Sequence, residues 1–184
     1  MAVMITSQAE LTRQVKSDLE RDEGFREFAY PDPLSKLYKQ FPDLRNLWGT
    51  KPVKELLASK TGYKLSDGTP WTMGFGFTQG VTPDSKIDRI RAERMLEEKI
   101  LDMDAALSKA LSWYKEATFV TKTVLINMGF NLGLAGLLKF TNTLAYIKSK
   151  QYKQAAVNMR KSLWYQQVTK RAERLAKRME TQTI

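Results

Sequence analysis

The 184-residue sequence contains neither cysteine nor histidine. Without cysteine the chain has no disulfide, no thiolate nucleophile and no thiolate ligand for a metal. Without histidine it lacks the commonest general base, the histidine form of the serine triad and the commonest zinc ligand. Acid and base chemistry therefore falls to Asp, Glu, Lys or Tyr. We expect no cofactor and no metal site.

Long apolar runs are also missing. No stretch is apolar for the length needed to span a bilayer, and residues 1–7 carry no basic segment followed by an apolar run of signal-peptide length. We therefore expect synthesis in the cytoplasm without a signal peptide. The hydrophobic content of 42% and the charged content of 27% are ordinary for a globular protein. A chain of this length fits a single domain, and we expect a monomer.

Positive charge is in excess and is unevenly distributed. The formal net charge is +10, and residues 148–184 hold ten Lys and Arg against Glu173 and Glu180, a local charge of +8. Such a segment indicates a polyanionic partner, for example nucleic acid, an anionic membrane surface or a cell-wall polymer, or else a solvated face that keeps the protein soluble. No zinc-finger or RNA-recognition signature accompanies the charge, so we expect no nucleic-acid partner.

An amphipathic helix is predicted from about residue 8 to residue 23, because Ser7 and Glu10 form a capping-box pattern. Its apolar stripe repeats every four residues, at Leu11, Val15 and Leu19, and its polar face carries Arg13, Lys16 and Asp18. Glu23 is the next member of the apolar series. A carboxylate that continues a core-facing stripe is poorly solvated, which disfavours its charged form, as a general acid requires. Gly24 can then end the helix.

A second carboxylate, Asp32, lies between Pro31 and Pro33. Each proline fixes its own φ and biases the preceding residue towards extended geometry, so this segment is not helical and the side chain of Asp32 should be solvated and ionised. Two carboxylates in opposite environments are typical of an acid and base pair. The chain has 20 acidic residues, however, so a structural coincidence remains an alternative.

Residues 71–78 alternate with period two and predict a strand. One face holds Trp71, Met73, Phe75 and Phe77. The other face holds only Thr and Gly, and glycine in a strand often marks the close approach of a ligand or of another backbone. A half-exposed edge strand without a ligand is the alternative.

The remaining patterns are mostly helical, so the sequence predicts an α+β fold with one small sheet. Residues 31–70 predict loop, apart from a short helix that opens at Thr50 or Pro52 and runs through Leu57. A long helix from Asp88 to about Leu111 should turn Ile90, Leu96, Ile100, Met103, Leu107 and Leu111 inward. A nearly apolar central helix at 119–130 precedes turns expected at Gly129, Gly133 and Gly136. Further helices are predicted from a cap at Thr141 or Asn142 through Ile147, at 152–163 and at 169–179.

Several motifs resemble the T4-type phage lysozymes of glycoside hydrolase family 24. In the amino-terminal half they are Asp22-Glu23-Gly24 followed by Tyr30 and Asp32, and the strand Thr72-Met73-Gly74-Phe75-Gly76. In the carboxyl-terminal half they are Ile126-Asn127-Met128, Phe140-Thr141-Asn142, Ala155-Ala156-Val157-Asn158 and Trp164-Tyr165. The motifs occur in the family's order, and the resemblance covers most of residues 15–178.

The resemblance implies a single lysozyme domain over 1–184, mostly helical, with a small β-sheet lobe and a helical lobe joined by a long helix. The first lobe would span about residues 12–90, including an insertion at 33–70, and the second about residues 91–184. It also implies an endo-acting muramidase that cuts the β-1,4 bond between N-acetylmuramic acid and N-acetylglucosamine in peptidoglycan. A phage endolysin of this kind would wait in the host cytoplasm until the inner membrane is permeabilised, and the basic carboxyl-terminal helices would then hold it against the anionic envelope.

The same resemblance implies roles for particular residues. Glu23 would be the general acid, while Asp32 and Thr72 would position and activate water. Saccharide contacts would fall at Thr78, Phe130, Thr143 and Asn158. Arg171 matches an arginine that approaches the catalytic glutamate and would support it.

Three departures from the family pattern stand out. The chain between Asp32 and Thr72 is much longer than in the short T4-type enzyme, so Asp67 is a rival for the second carboxylate; the spacing of Asp32 from Glu23 favours Asp32. Phe77 stands where the short enzyme has a histidine. The amino terminus has about a dozen extra residues.

Overall fold

The structure is a computed structural model that describes residues 7–184. The chain forms two compact units, one of Leu19–Leu96 and one of the residues up to Asp18 together with Glu97–Ile184. Helices α1 (Gln8–Glu23) and α4 (Arg89–Ala110) contribute to both units because the divisions fall within them. The fold is mostly helical with one small sheet, so the predicted α+β class is confirmed.

The beginning and the end of α1 follow the predicted signals. The backbone N–H of Ser7 donates to Glu10 Oε2 at 2.9 Å, and the N–H of Glu10 donates to Ser7 Oγ at 3.2 Å. This reciprocal capping box satisfies two of the free N–H groups at the helix start. At the other end Gly24 takes a φ of +65°, a left-handed geometry that favours glycine, and ends the helix.

A two-stranded antiparallel ribbon organises unit Leu19–Leu96. Strands β1 (Arg26–Pro31) and β2 (Trp71–Gly74) pair with Tyr30 opposite Thr72 and Pro31 opposite Trp71. Residues directly opposite in an antiparallel pair share a face, so the side chains of Tyr30 and Thr72 project to the same side.

The strand predicted over 71–78 is wrong beyond Gly74. The chain turns back there, and Met73 and Phe77 exchange backbone hydrogen bonds of 2.9 Å in each direction. Gly74 at φ +63° and Gly76 at φ +82° adopt the positive φ values that this turn requires. Alternation in the sequence therefore marked a tight hairpin, not one extended strand.

Residues 33–70 are mostly loop and turn, as predicted, but contain more helix than the one predicted segment. They form two short helices, α2 (Lys36–Gln40) and α3 (Val53–Leu56), and two 3₁₀ turns at Pro42–Leu44 and Leu65–Gly68. Only α3 was predicted. The segment has a core of its own, which it shares with Ala29 and Trp71 of the ribbon; its members are Leu37, Phe41, Leu44, Trp48, Val53, Leu56 and Leu57. Helices of four or five residues are stable because this core packs against them, which explains why periodicity did not reveal them.

Helices α4 to α9 complete the chain. The latter five are α5 (Phe119–Leu138), α6 (Thr141–Lys148), α7 (Tyr152–Arg160), α8 (Leu163–Gln167) and α9 (Thr169–Thr181). Ile90, predicted to face inward from α4, is 67% exposed. Among residues 7–184, no single helix is long and apolar enough to cross a bilayer, although α5 and α6 taken together across a 102° bend reach that length and composition.

Three glycines were expected to mark turns after the central helix, but α5 continues through two of them. Only Gly133 leaves helical geometry, with φ 71° and ψ 160°. Gly129 is buried against Met103, whose Sδ would lie 2.6 Å from an added Cβ, so close packing accounts for this glycine. The cap expected from Thr141 or Asn142 is also wrong, because Phe140 occupies the N-cap of α6 without a side-chain hydrogen bond.

Asp18 was predicted on the solvated face of α1 but is 1% exposed. Both of its carboxylate oxygens accept hydrogen bonds from the guanidinium of Arg178 in α9, with Arg178 Nη2 3.1 Å from Asp18 Oδ1. Burial of one charge requires a partner of opposite charge. Because that partner lies 160 positions away in the chain, helical periodicity had no means of revealing it.

Candidate active site

Glu23 is the last residue of α1 and is half-buried, as its place on the apolar stripe predicted. The turn after β2 approaches it closely. A Cβ added at Gly76 would lie 3.1 Å from Glu23 Oε2. The face of Thr and Gly residues was expected to mark a close approach, and here the approaching group is the carboxylate of Glu23. Gly76 belongs to the strand motif, but its approach to Glu23 was not predicted from the sequence.

Tyr30 lies near the two candidate carboxylates. Burial, and then the neighbouring negative charges of Glu23 and Asp32, raise the pKa of the Tyr30 phenol, while the Arg26 guanidinium opposes them. Both carboxylates therefore lie close enough to one phenol to act on it. A phenol with a raised pKa stays protonated at neutral pH and can donate a hydrogen bond. Tyr30 belongs to the amino-terminal motif, but its position near both carboxylates was not predicted from the sequence.

Asp32 is held in place by several backbone contacts. Its Oδ1 accepts a hydrogen bond of 2.7 Å from the N–H of Leu34, and its own N–H donates to the carbonyls of Gly68 at 3.2 Å and Pro70 at 3.1 Å. The residue is partly buried, and the hydrogen bond to its carboxylate lies in an exposed position, so the carboxylate stays partly solvated. The 33–70 segment follows Asp32 in the chain, and its last residues return to accept hydrogen bonds from the N–H of Asp32. The segment therefore fixes the backbone from which this carboxylate projects.

The rival carboxylate, Asp67, has a different environment. Its Oδ2 lies 3.3 Å from Lys36 Nζ, and both residues belong to the 33–70 segment. The negative charge of Asp32, by contrast, raises the pKa of Tyr30 together with that of Glu23. Asp32 therefore stays the predicted partner of Glu23.

Two threonines of the predicted site lie on the ribbon and its turn. Thr72 is 7% exposed and faces the same side as Tyr30. Thr78 follows the turn, is exposed and lines a cavity beside Trp71. Phe77, at the position where the short enzyme has histidine, is buried and packs edge-on against Phe75 with a centroid distance of 6.5 Å.

The other predicted residues lie in the unit that contains α5 to α9. Asn158 Nδ2 donates to Thr143 Oγ1 at 3.0 Å, and both residues line a groove of about 290 Å³ with Phe140. The structure therefore brings Thr143 and Asn158 together. Phe130 is half-buried on α5, and Arg171 is half-buried on α9.

The candidate site therefore combines a helix-terminal carboxylate, a second carboxylate at the end of a β ribbon and a tyrosine near both, in a mostly helical α+β protein. Comparison with known proteins identifies the protein family. The model of the phage lysozyme family matches residues 58–182, more than half of the chain, and the chain belongs to that family.

Two curated relatives come from Dictyostelium discoideum. The chain is 34% identical to "Probable T4-type lysozyme 1" over 71 residues, which is 39% of this chain and 42% of the relative. It is 35% identical to "Probable T4-type lysozyme 2" over 63 residues, 34% of this chain and 37% of the relative. The chain thus spans less than half the length of these curated relatives.

The family match begins after two of the predicted catalytic residues. Glu23 and Asp32 precede residue 58, whereas the other six lie within the match: Thr72, Thr78, Phe130, Thr143, Asn158 and Arg171. The roles of Glu23 and Asp32 therefore depend on the amino-terminal motif and on the geometry around Tyr30. All eight roles remain predictions.

Proposed function

We propose that the protein is an N-acetylmuramidase that hydrolyses the β-1,4 bond between N-acetylmuramic acid and N-acetylglucosamine in bacterial peptidoglycan. One observation carries the proposal: in a member of the phage lysozyme family, Glu23 and Asp32 both lie close enough to Tyr30 to raise the pKa of its phenol. Glycoside hydrolysis uses such a pair of carboxylates.

In this proposal Glu23 donates a proton to the glycosidic oxygen, because an alkoxide is a poor leaving group. Asp32, with Thr72, positions and deprotonates a water molecule that attacks the anomeric carbon from the opposite side. The backbone contacts of Asp32 limit its movement, which favours a fixed position for the water. Attack by water in a single step inverts the anomeric configuration, whereas a covalent intermediate on Asp32 would retain it.

The test measures the reducing ends released from purified peptidoglycan by the wild type and by Glu23→Gln. The substitution keeps the shape of the side chain and removes the acidic proton, so activity should fall about 10²- to 10⁴-fold. Glu27→Gln, an exposed position on β1, is the matched control and should stay active. A Glu23→Gln variant with more than half of the wild-type activity would contradict the assignment. Products with retained configuration would contradict Asp32 as the base.

For its biological role we propose a phage endolysin that lyses the host cell. Family membership supports this role, while the amoebal relatives mean that family membership alone does not establish it. In the proposed sequence the protein accumulates in the host cytoplasm and reaches the wall when another factor permeabilises the inner membrane. Production in a bacterial cytoplasm should leave cells intact until a membrane-permeabilising agent is added. Survival of the cells after permeabilisation would contradict the proposal.

We also propose that the basic segment at 148–184 helps to hold the enzyme against the anionic envelope. Exposed lysines at 148, 153, 170 and 177 supply charge there. Arg178 does not belong to this surface because it is buried with Asp18, so it is unsuitable for a charge-removal variant. Exposed charges are screened over about 8 Å at physiological salt, so the attraction should weaken as ionic strength rises.

The test replaces Lys148, Lys153, Lys170 and Lys177 with Gln. Activity on whole envelopes at low salt should fall, while turnover of a short soluble oligosaccharide should stay unchanged. A control set removes the same charge from exposed lysines elsewhere, at 39, 86, 109 and 115. An equal loss in both sets, or a loss on both substrates, would contradict electrostatic docking.

A further inference from the structure

A pair of aromatic rings joins the two segments that bracket the candidate acid. One segment carries Glu23 and then Phe25, and the other is the turn after β2, which carries Phe75 and Gly76. The Phe25 and Phe75 rings lie 5.5 Å apart between centroids, at an angle of 51°. This separation is typical of an attractive aromatic pair. The same two segments also meet where Gly76 approaches Glu23 Oε2, so two separate contacts fix how the carboxylate lies against the turn.

The backbone next to these rings is rich in glycine. Gly24 stands between the acid and the first ring with φ +65°, and an added Cβ there would meet no atom within 4 Å. Gly74 and Gly76 flank Phe75 with φ +63° and +82°. Glycine has no Cβ to restrict its φ and ψ angles, so local backbone preference does not set the distance between the acid and the turn. Side-chain contacts such as those of Phe75, which is 1% exposed, must set it.

Arg89, the first residue of α4, covers both rings. Its guanidinium carbon lies 5.7 Å from the centroid of the Phe25 ring and 6.0 Å from that of the Phe75 ring. At distances up to about 6 Å a guanidinium is attracted by the negative face of an aromatic ring. Arg89 Nε also donates to Glu93 Oε1 at 2.8 Å, which restrains the guanidinium. All of these residues belong to the unit Leu19–Leu96.

We propose that Phe25, Phe75 and Arg89 are positioning residues for the acid Glu23. The ring pair holds the turn against the carboxylate, and the guanidinium holds the rings together; none of the three touches the substrate. Proton transfer requires an approach of about 2.6–3.2 Å between heavy atoms, so a displaced carboxylate slows the chemical step. Loss of this three-residue cluster should therefore lower kcat and leave KM unchanged. The inference rests on the proposed muramidase function and adds the residues that place its acid.

The first experiment compares Arg89→Met with Lys60→Met. Lys60 is a matched control, because its Nζ lies 5.5 Å from the centroid of the Phe41 ring and 2.6 Å from Asp43 Oδ2, in the 33–70 segment. Each substitution keeps an unbranched stem and removes the cation. On a soluble peptidoglycan oligosaccharide, Arg89→Met should lower kcat about two- to fivefold without changing KM. Arg89→Lys keeps a cation near the rings and should restore most of kcat, while Lys60→Met should match the wild type.

The second experiment removes one ring. Phe25→Leu keeps an apolar side chain and loses the contact with Phe75, so kcat should fall about two- to tenfold. The control is Phe41→Leu, which loses a ring contact of 6.0 Å with Tyr63 and should keep the wild-type kcat. Both variants are assayed well below their Tm. If Phe25→Leu does not fold, the comparison of Arg89→Met with Lys60→Met decides.

A double-variant cycle distinguishes positioning of Glu23 from a general structural role. If the cluster acts through Glu23, adding Arg89→Met to Glu23→Gln should not lower the residual kcat further, because the amide has no acidic proton to deliver. An equal cost of Arg89→Met in both backgrounds would overturn the proposal. Equal kcat values for Arg89→Met and Lys60→Met, or a raised KM with unchanged kcat, would also overturn it.

Crystal structures separate this inference from the function on which it rests. The distance from Glu23 Oε2 to Gly76 needs no catalysis to be measured. It should widen, or the carboxylate should take more than one position, in Phe25→Leu but not in Phe41→Leu. An unchanged carboxylate in Phe25→Leu would contradict the positioning role alone. A wild-type protein inactive on every peptidoglycan substrate would contradict the proposed function alone.

Discussion

Replacing Gly76 with Ala tests how closely the turn after β2 constrains Glu23. An added Cβ would lie 3.1 Å from Glu23 Oε2 and 3.6 Å from its Cδ, so the carboxylate must shift by a few tenths of an ångström. A misplacement of about 1 Å in an active site can cost about 10²-fold in rate. If the cost scales with displacement, kcat should fall about four- to tenfold.

The matched control is Gly80→Ala. Gly80 has a similar φ of +71°, against +82° at Gly76, but no atom lies within 4 Å of an added Cβ. Left-handed geometry costs a non-glycine residue about 1–2 kcal/mol, so both variants should lose this much stability. For a chain of this size that loss lowers Tm by about 2–8 °C.

The assay combines thermal unfolding with kcat on a soluble oligosaccharide, measured well below the Tm of either variant. The expected result is a similar Tm for the two alanine variants and a lower kcat for Gly76→Ala only. If both variants keep the same kcat while Glu23→Gln is inactive, the contact between Gly76 and Glu23 does not control the position of the acid, and the reasoning is refuted.

Two further predictions concern ion pairs. Asp18→Ala leaves the charge of Arg178 buried without its carboxylate and should lower the free energy of unfolding, measured in urea, by about 3–5 kcal/mol. The double variant Asp18→Leu with Arg178→Met should recover much of that stability. The absence of any recovery would contradict the ion-pair explanation. Hydrogen bonds from Arg160 lower the pKa of Glu173 in the folded protein. The ionised Glu173 therefore contributes fully to folding stability at a pH above the ordinary pKa of glutamate. This contribution is lost as the pH falls through the lowered pKa of the folded state. Glu173 is 44% exposed, so the loss should be about 1 kcal/mol or less, and Glu173→Gln should remove that part of the pH dependence of stability.

Local signals in the sequence were sufficient to predict a structural feature where the contacts that determine it lie within a few residues of one another. The capping box of Ser7 and Glu10 and the left-handed Gly24 set both ends of α1, and each acts within one helical turn. The period of the apolar stripe likewise placed Glu23 at a half-buried position. Periodicity therefore predicted the partial burial of Glu23, while its role as the acid stays a prediction.

Contacts between residues far apart in the chain account for the main errors in the predictions from sequence. The burial of Asp18 depends on Arg178, and the half-buried state of Asp32 goes with carbonyls of Gly68 and Pro70 that approach it only in the folded chain. The strand predicted through residue 78 failed because period-two alternation does not encode φ, and Gly74 and Gly76 turn the chain with positive values. Tyr30 gained a role only when the register of the ribbon and the two carboxylates around it were known.

The hydrogen bonds of Asp32 to Gly68 and Pro70 have a consequence for how this chain can change in length. The N–H at the start of the 33–70 segment lies 3.2 Å from one carbonyl and 3.1 Å from another at its end, so the segment leaves the ribbon and returns to almost the same point. An excursion that closes on itself can change in length at its exposed turns without altering the pairing of Tyr30 with Thr72, as long as the core that it shares with Ala29 and Trp71 is kept. Chains that differ only in these turns would share the same ribbon, so an engineer could vary the turns while the ribbon stays constant.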